Sequence, residues 1–145
     1  MSLFSTLSVS ASGMAAQRQR AEILVENLAN ADTTRTAEGG PYQRRDVVFE
    51  SSATSSPFSS VFQSALEGEA NGVTVGQVVT DSRPPERRYM PGHPDADKDG
   101  FVAYPNVNPA EDMVDLLGAS RGYEANVAAM GAVKDMIQRS IDLLR

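Results

Sequence analysis

Residues 3–28, LFSTLSVSASGMAAQRQRAEILVENL, place Leu3, Leu7, Ser10, Met14, Gln17, Ala21, Leu24 and Leu28 in alternating steps of four and three. The same steps return at the other end, through Met113, Leu116, Ser120, Tyr123, Val127, Met130, Lys134, Ile137, Ile141 and Leu144. A repeat with this period forms one stripe along an α-helix and packs against a similar stripe. All eight prolines lie from Pro41 to Pro109, between the two repeats. The expected fold class is therefore α+β: long N- and C-terminal helices paired as an antiparallel coiled coil, with a small β-rich middle region. This is the plan of a subunit that assembles, and it points away from an enzyme.

Composition narrows the function classes. The chain has 145 residues, the size of one ordinary domain, and 41% of them are apolar. The net charge is −6. Residues 1–30 hold two basic and two acidic side chains, residues 31–109 seven and eleven, and residues 110–145 four and six. No segment is a basic patch, so nucleic-acid binding has no electrostatic basis. The absence of cysteine excludes disulfides, thiolate metal sites and cysteine nucleophiles. The first ten residues lack the basic region and apolar run of a cleaved secretory signal. No run approaches the roughly 20 apolar residues needed to span a membrane, so no membrane insertion is expected.

Working inward, three regions are expected: a coiled-coil helix over 1–30, a β-rich middle over 31–108 with a flexible Ser-rich segment at 51–72, and a coiled-coil helix over 109–145. The first helix has a thin stripe, since Ser10 and Gln17 sit on it and Gly13 weakens it. Such a helix orders only against partners. Asn30 reads as a left-handed cap, and Gly39-Gly40-Pro41 as a loop. Residues 43–50, 73–80, 86–90 and 101–104 read as strands, with a bulge at Gly76. Seven of the nine aromatic residues fall in the middle region, which suggests a small β core there. Within the Ser-rich segment Phe58, Val61, Phe62, Ala65 and Leu66 share one helical face, so a short helix is expected. The last helix starts cleanly: Asn108 caps, Pro109 takes the first position and Glu111 the third.

Few motifs offer chemistry. Asp95-Ala-Asp97-Lys-Asp99-Gly100 matches the first half of a calcium loop. The second half fails, with Asn106 where a bidentate glutamate belongs and prolines where flanking helices belong, so an Asp/Gly turn is the plainer reading. His93 is the only histidine, and no G-x-S-x-G elbow or metal-ligand cluster accompanies it. No catalytic residue, metal site or cofactor is expected. Arg44-Arg45 and Arg87-Arg88 suit either solvated strand faces or contact with an acidic neighbour. Arg121-Gly-Tyr123-Glu-Ala-Asn126 is unusual inside a helix. Asn126 there sets helix register with Asn27 or Asn30 as counterpart, or is simply exposed.

Several stretches together resemble one family. Ser10-Ala-Ser-Gly-Met-Ala-Ala-Gln17 with Leu28-Ala-Asn-Ala-Asp-Thr-Thr34 is similar to the N-terminal signature of the axial proteins of the bacterial flagellum, the rod and hook proteins. Glu111-Asp-Met-Val-Asp115 and Ser120-Arg-Gly-Tyr-Glu-Ala-Asn126 are similar to their closing motif. Gly39-Gly-Pro-Tyr42, Tyr89-Met-Pro-Gly-His-Pro-Asp-Ala-Asp97 and Tyr104-Pro-Asn-Val-Asn108 resemble the short proximal-rod members. The likeness covers nearly the whole chain outside residues 51–72. Asp32 and Met14 depart from it, where asparagine and leucine are common. The resemblance implies a structural subunit of the proximal rod, whose terminal helices build a helical tube that transmits torque. It implies as partners other rod subunits, proximal and distal, the basal-body base, and the flagellar type III export apparatus. It places the protein in the basal body, spanning the periplasm, exported without signal cleavage.

The residues expected to carry assembly are Leu3, Leu7, Met14, Leu24, Leu28, Tyr123, Val127, Met130, Ile137, Ile141 and Leu144, with Asn27, Asn30, Arg121 and Asn126 as their polar companions. The alternative from another class is a calcium-responsive binding module centred on Asp95–Asp99, which calcium calorimetry distinguishes.

Overall fold

The computed structural model describes residues 3–53 and 71–143. The short helix expected at Phe58–Leu66, and Leu144, lie outside the described residues. Helix α1 spans Leu3–Ala29 and α2 spans Pro109–Leu143. Between them run β1 (Arg45–Ala53), β2 (Asn71–Thr80), β3 (Glu86–Tyr89) and β4 (Phe101–Tyr104). The α+β expectation, with long helices at both ends and strands between, matches this order.

Local chemistry explains the element ends. Asn108 Oδ1 accepts the Ala110 N–H at 3.2 Å, while its carbonyl accepts the Asp112 N–H. Glu111 and Asp112 place negative charge in the first turn of α2, against the positive end of the helix dipole. The end of α1 differs from expectation. No described residue other than glycine has positive φ, so Asn30 is not a left-handed cap. Instead its Nδ2 donates to the Glu26 carbonyl at 2.9 Å, and its Oδ1 accepts the Thr33 hydroxyl. The Glu26 carbonyl, which also accepts the Asn30 N–H at 3.1 Å, thus takes a second bond from the side chain. Positive φ falls on Gly39, Gly40 and Gly100, the first two turning the chain from Thr36 into Tyr42.

The strands form two ribbons, β1 with β2 and β3 with β4. In the second, antiparallel pairing matches Glu86 with Tyr104 and Tyr89 with Phe101. Residues 51–53, read as the start of the Ser-rich segment, continue β1. Gly76 leaves room for the Glu50 carboxylate across the first ribbon.

The chain forms two compact units. One takes residues 1–19, 49–76 and 119–145, the other residues 20–48 and 77–118. In the first, Ser10, Ala16, Ala119 and Val133 are buried. In the second, Leu24, Asn27, Tyr42, Val102 and Asp112 are buried. Among the described residues of the middle region the buried hydrophobic side chains are Tyr42, Val102 and Pro105, and all of β3 is exposed, since two-stranded ribbons cover little surface.

Candidate assembly interface

Within the first unit, Gly13 of α1 meets Asn126 of α2, and Gln17 meets Gly122, so the helices run antiparallel. Ser12 Oγ donates to the Val9 carbonyl at 2.7 Å and accepts the Val73 N–H at 3.0 Å. One hydroxyl therefore ties β2 to α1.

In the second unit, Arg20 approaches Asp115 at 3.5 Å. Beside them is a buried polar network. Asn27, with no exposed surface, accepts the Tyr42 hydroxyl and the Arg45 N–H at Oδ1, and donates to the Arg45 carbonyl from Nδ2. The amide thus pairs with the strand backbone as a neighbouring strand would. Burial, the Glu26 charge and the Asp112 charge push the Tyr42 phenol above its ordinary range, with Arg45 opposing. Arg44 donates from Nε and Nη2 to Asp112 Oδ1, at 3.2 and 2.9 Å. Burial opposes the Arg44 charge, but the hydrogen bond and charge of Asp112 outweigh it and raise its pKa.

The basic pairs are engaged within the chain. Arg45 binds Glu26 and lies 5.9 Å from the Tyr42 ring centre. Arg87 binds Asp97 and stacks on Phe101, while Arg88 binds Glu86 and stacks on Tyr104. A cavity of about 200 Å³ lies among Gly39, Arg44, Asp81, Arg83 and Asn106. Its two guanidinium groups are held by Asp112 and Asp81.

The half calcium loop is a turn. Asp97 Oδ1 accepts the N–H groups of Asp99 and Phe101, and Oδ2 binds Arg87, so its carboxyl is held below its ordinary range, chiefly by the Phe101 amide. Asp95 accepts the Thr34 hydroxyl and faces Arg35. His93 Nδ1 accepts the Asp95 N–H. Among the described residues no three His, Cys, Asp or Glu side chains converge as a metal site.

The residues expected to carry assembly fall into three groups. Leu24 and Asn27 are buried; Leu7, Met14, Leu28, Asn30, Asn126, Met130 and Ile137 are half-buried. Leu3, Arg121, Tyr123, Val127 and Ile141 are exposed. Along α2 the buried residues are Asp112, Ala119 and Val133, each one position before a residue of the apolar repeat, while Gly122 and Asn126 are half-buried like Leu116, Met130 and Ile137 of the repeat. Small and hydrogen-bonded side chains let the helices approach, and they turn the repeat aside. Met113, Val114, Leu117, Tyr123, Val127 and Ile141 remain open on α2. Gln17 and Gly13, read from the sequence as weak points of the α1 stripe, face Gly122 and Asn126, while Tyr42 and Asp112 were not among the residues expected at the interface.

An antiparallel pair of terminal helices, with apolar residues left outside it, defines a class of chain built to join neighbours. Family comparison gives that class a name. The model described as "Flagella basal body rod protein" matches residues 7–35, and "Flagellar basal body rod FlgEFG protein C-terminal" matches residues 98–143. The flagellar basal-body rod protein FlgC of Bacillus subtilis is 41% identical, covering 99% of both chains. That of Borreliella burgdorferi is 37% identical over 100% of this chain and 99% of its own. That of Salmonella typhimurium is 35% identical over 99% and 98%. The chain belongs to the FlgC family of flagellar basal-body rod proteins.

Proposed function

We propose that this chain is a structural, non-enzymatic subunit of the proximal rod, and that its terminal helices join those of neighbouring subunits in a helical tube that transmits torque. The observation that carries the reading is the end-to-end likeness to FlgC proteins, 41% identical over 99% of the chain in one case. The apolar side chains left open on α2 support it, since a row of them on a water-exposed helix suits a covered surface. Leu3, Leu7, Met14, Leu24, Leu28, Val127, Met130, Ile137, Ile141 and Leu144 carry assembly in this reading. Its partners are other rod subunits and the basal-body base, and it reaches them through the flagellar type III export apparatus without signal cleavage, to stand in the periplasm. No helix among the described residues is long and apolar enough to cross a membrane.

The test is complementation of a deletion strain with the full chain or with residues 31–109, followed by electron microscopy of basal bodies. Rods and swimming restored only by the full chain are expected. Intact rods in the deletion strain would sink the rod assignment. Restoration by residues 31–109 would sink the role of the terminal helices.

A further inference from the structure

Two glycines and two amides meet in one layer between the helices. A methyl group at Gly13 would stand 2.9 Å from Asn126 Oδ1 and 3.1 Å from its Cγ and Nδ2. A methyl at Gly122 would stand 3.1 Å from Gln17 Cδ and 3.2 Å from Nε2. A side chain at either glycine would require the facing amide to give way. The two halves are the same motif, a glycine followed four residues later by an amide, one on each helix and running in opposite directions. Residues at that spacing share a helix face. Each helix therefore presents one notch and one plug to the other.

The plug from α2 is fixed in place. Asn126 Nδ2 donates to the Gly122 carbonyl at 2.8 Å, so its amide is held between the two glycine positions. Gln17 inserts its amide with Oε1 buried and without a hydrogen-bond partner among the described residues. Polar insertion of this kind adds little to burial, yet it discriminates between alignments. The apolar repeat does so only weakly. A slide of seven residues returns the stripe of each helix to its partner, with Ser10, Gln17, Ser120 and Lys134 the positions out of pattern. The glycine notches break that degeneracy. Gly13 is the only glycine of α1, and of the glycines in α2 at 118, 122 and 131 only Gly122 has an α1 side chain against it.

We infer that Gly13 and Gln17 with Gly122 and Asn126 form a self-complementary lock that sets the axial register of the helix pair. Any helix taking the place of α1 or α2 must then offer a glycine with an amide four residues on. The inference concerns pairing within the chain and stands independently of the rod reading.

Cysteine cross-linking tests it, without background because the chain has no cysteine. Ser10→Cys with Met130→Cys reports the native register, and Ser10→Cys with Ile137→Cys a slide of seven residues. In the otherwise unchanged full chain only the first pair is expected to oxidise to a disulfide. Gly13→Asn sets amide against amide, and the ratio of native to shifted cross-link should fall about tenfold, the scale of a contacting pair. Gly13→Asn with Asn126→Gly exchanges notch and plug, leaves helix propensity nearly balanced, and should restore the native cross-link. Retention of the native cross-link alone in Gly13→Asn would overturn the lock. If Gly13→Asn prevents folding, the exchanged pair still decides: recovery supports the lock, and continued loss overturns it.

Discussion

Asp112 carries a carboxylate that folding removes from water and satisfies on one side only. Its side chain is 1% exposed, Oδ1 takes both Arg44 bonds, and Oδ2 has no hydrogen-bond partner among the described residues. Removing Asp112 leaves Arg44, 16% exposed, with Asp46 as its remaining carboxylate, so Asp112→Ala should destabilise by about 1–3 kcal/mol. Asp112→Leu with Arg44→Met should recover most of that loss, because neither charge then remains to be desolvated. Urea unfolding of the singles and the double measures this; additive losses would refute the coupling. Tyr42 gives a second expectation, in alkali. Its folded pKa lies above the ordinary value of about 10. The folded state then holds the phenol proton more tightly than the unfolded chain does. The associated stability is complete below about pH 10 and is lost as pH rises through the folded pKa. Tyr42→Phe should remove this decline from unfolding curves taken from about pH 9 upward. Neither residue was legible as a core group, because sequence alone does not show that Arg44 and Asn27 stand ready to satisfy them.

At the scale of elements, the helices were legible and so was the face of α1, whose repeat positions from Leu7 to Leu28 are buried or half-buried, but the face of α2 was not. Asn108-Pro109 announces α2 because a side-chain acceptor and a fixed φ suit a helix start in any context. Asn108→Ala should therefore cost about 1 kcal/mol; a change in thermal unfolding confined to noise would deny the cap its role. The packed face depends on close approach, which favours glycine, alanine and held amides over leucine, and apolar periodicity is blind to those. Hence Tyr123 and Val127, prominent in the repeat, stand 41% and 47% exposed, while Ala119 is buried. The strands behaved similarly. Ser51 and Ser52 look like linker residues, yet pairing with β2 outweighs their weak strand preference and carries β1 to Ala53. The acidic turn at Asp95–Asp99 resembled a metal loop only while the claims of Arg87, Thr34 and the backbone on those oxygens were invisible.

At the scale of the whole molecule, distant parts of the chain hold one another. Ser12 reaches Val73 across 61 residues, Thr34 reaches Asp95 across 61, and Arg44 reaches Asp112 across 68. Such contacts wait on long loops to close. A fragment ending at residue 108 has α1 without α2, and its helical circular dichroism should fall well below the share that α1 contributes to the full chain. Full helicity in that fragment would show that α1 needs no partner. The antiparallel pairing of Gly13 with Asn126 also imposes an order in time. A ribosome releases α1 first, and the segment that completes it emerges among the last. Throughout synthesis the leading helix therefore waits without its partner, and the moment of closure is set by the arrival of residues 122–126.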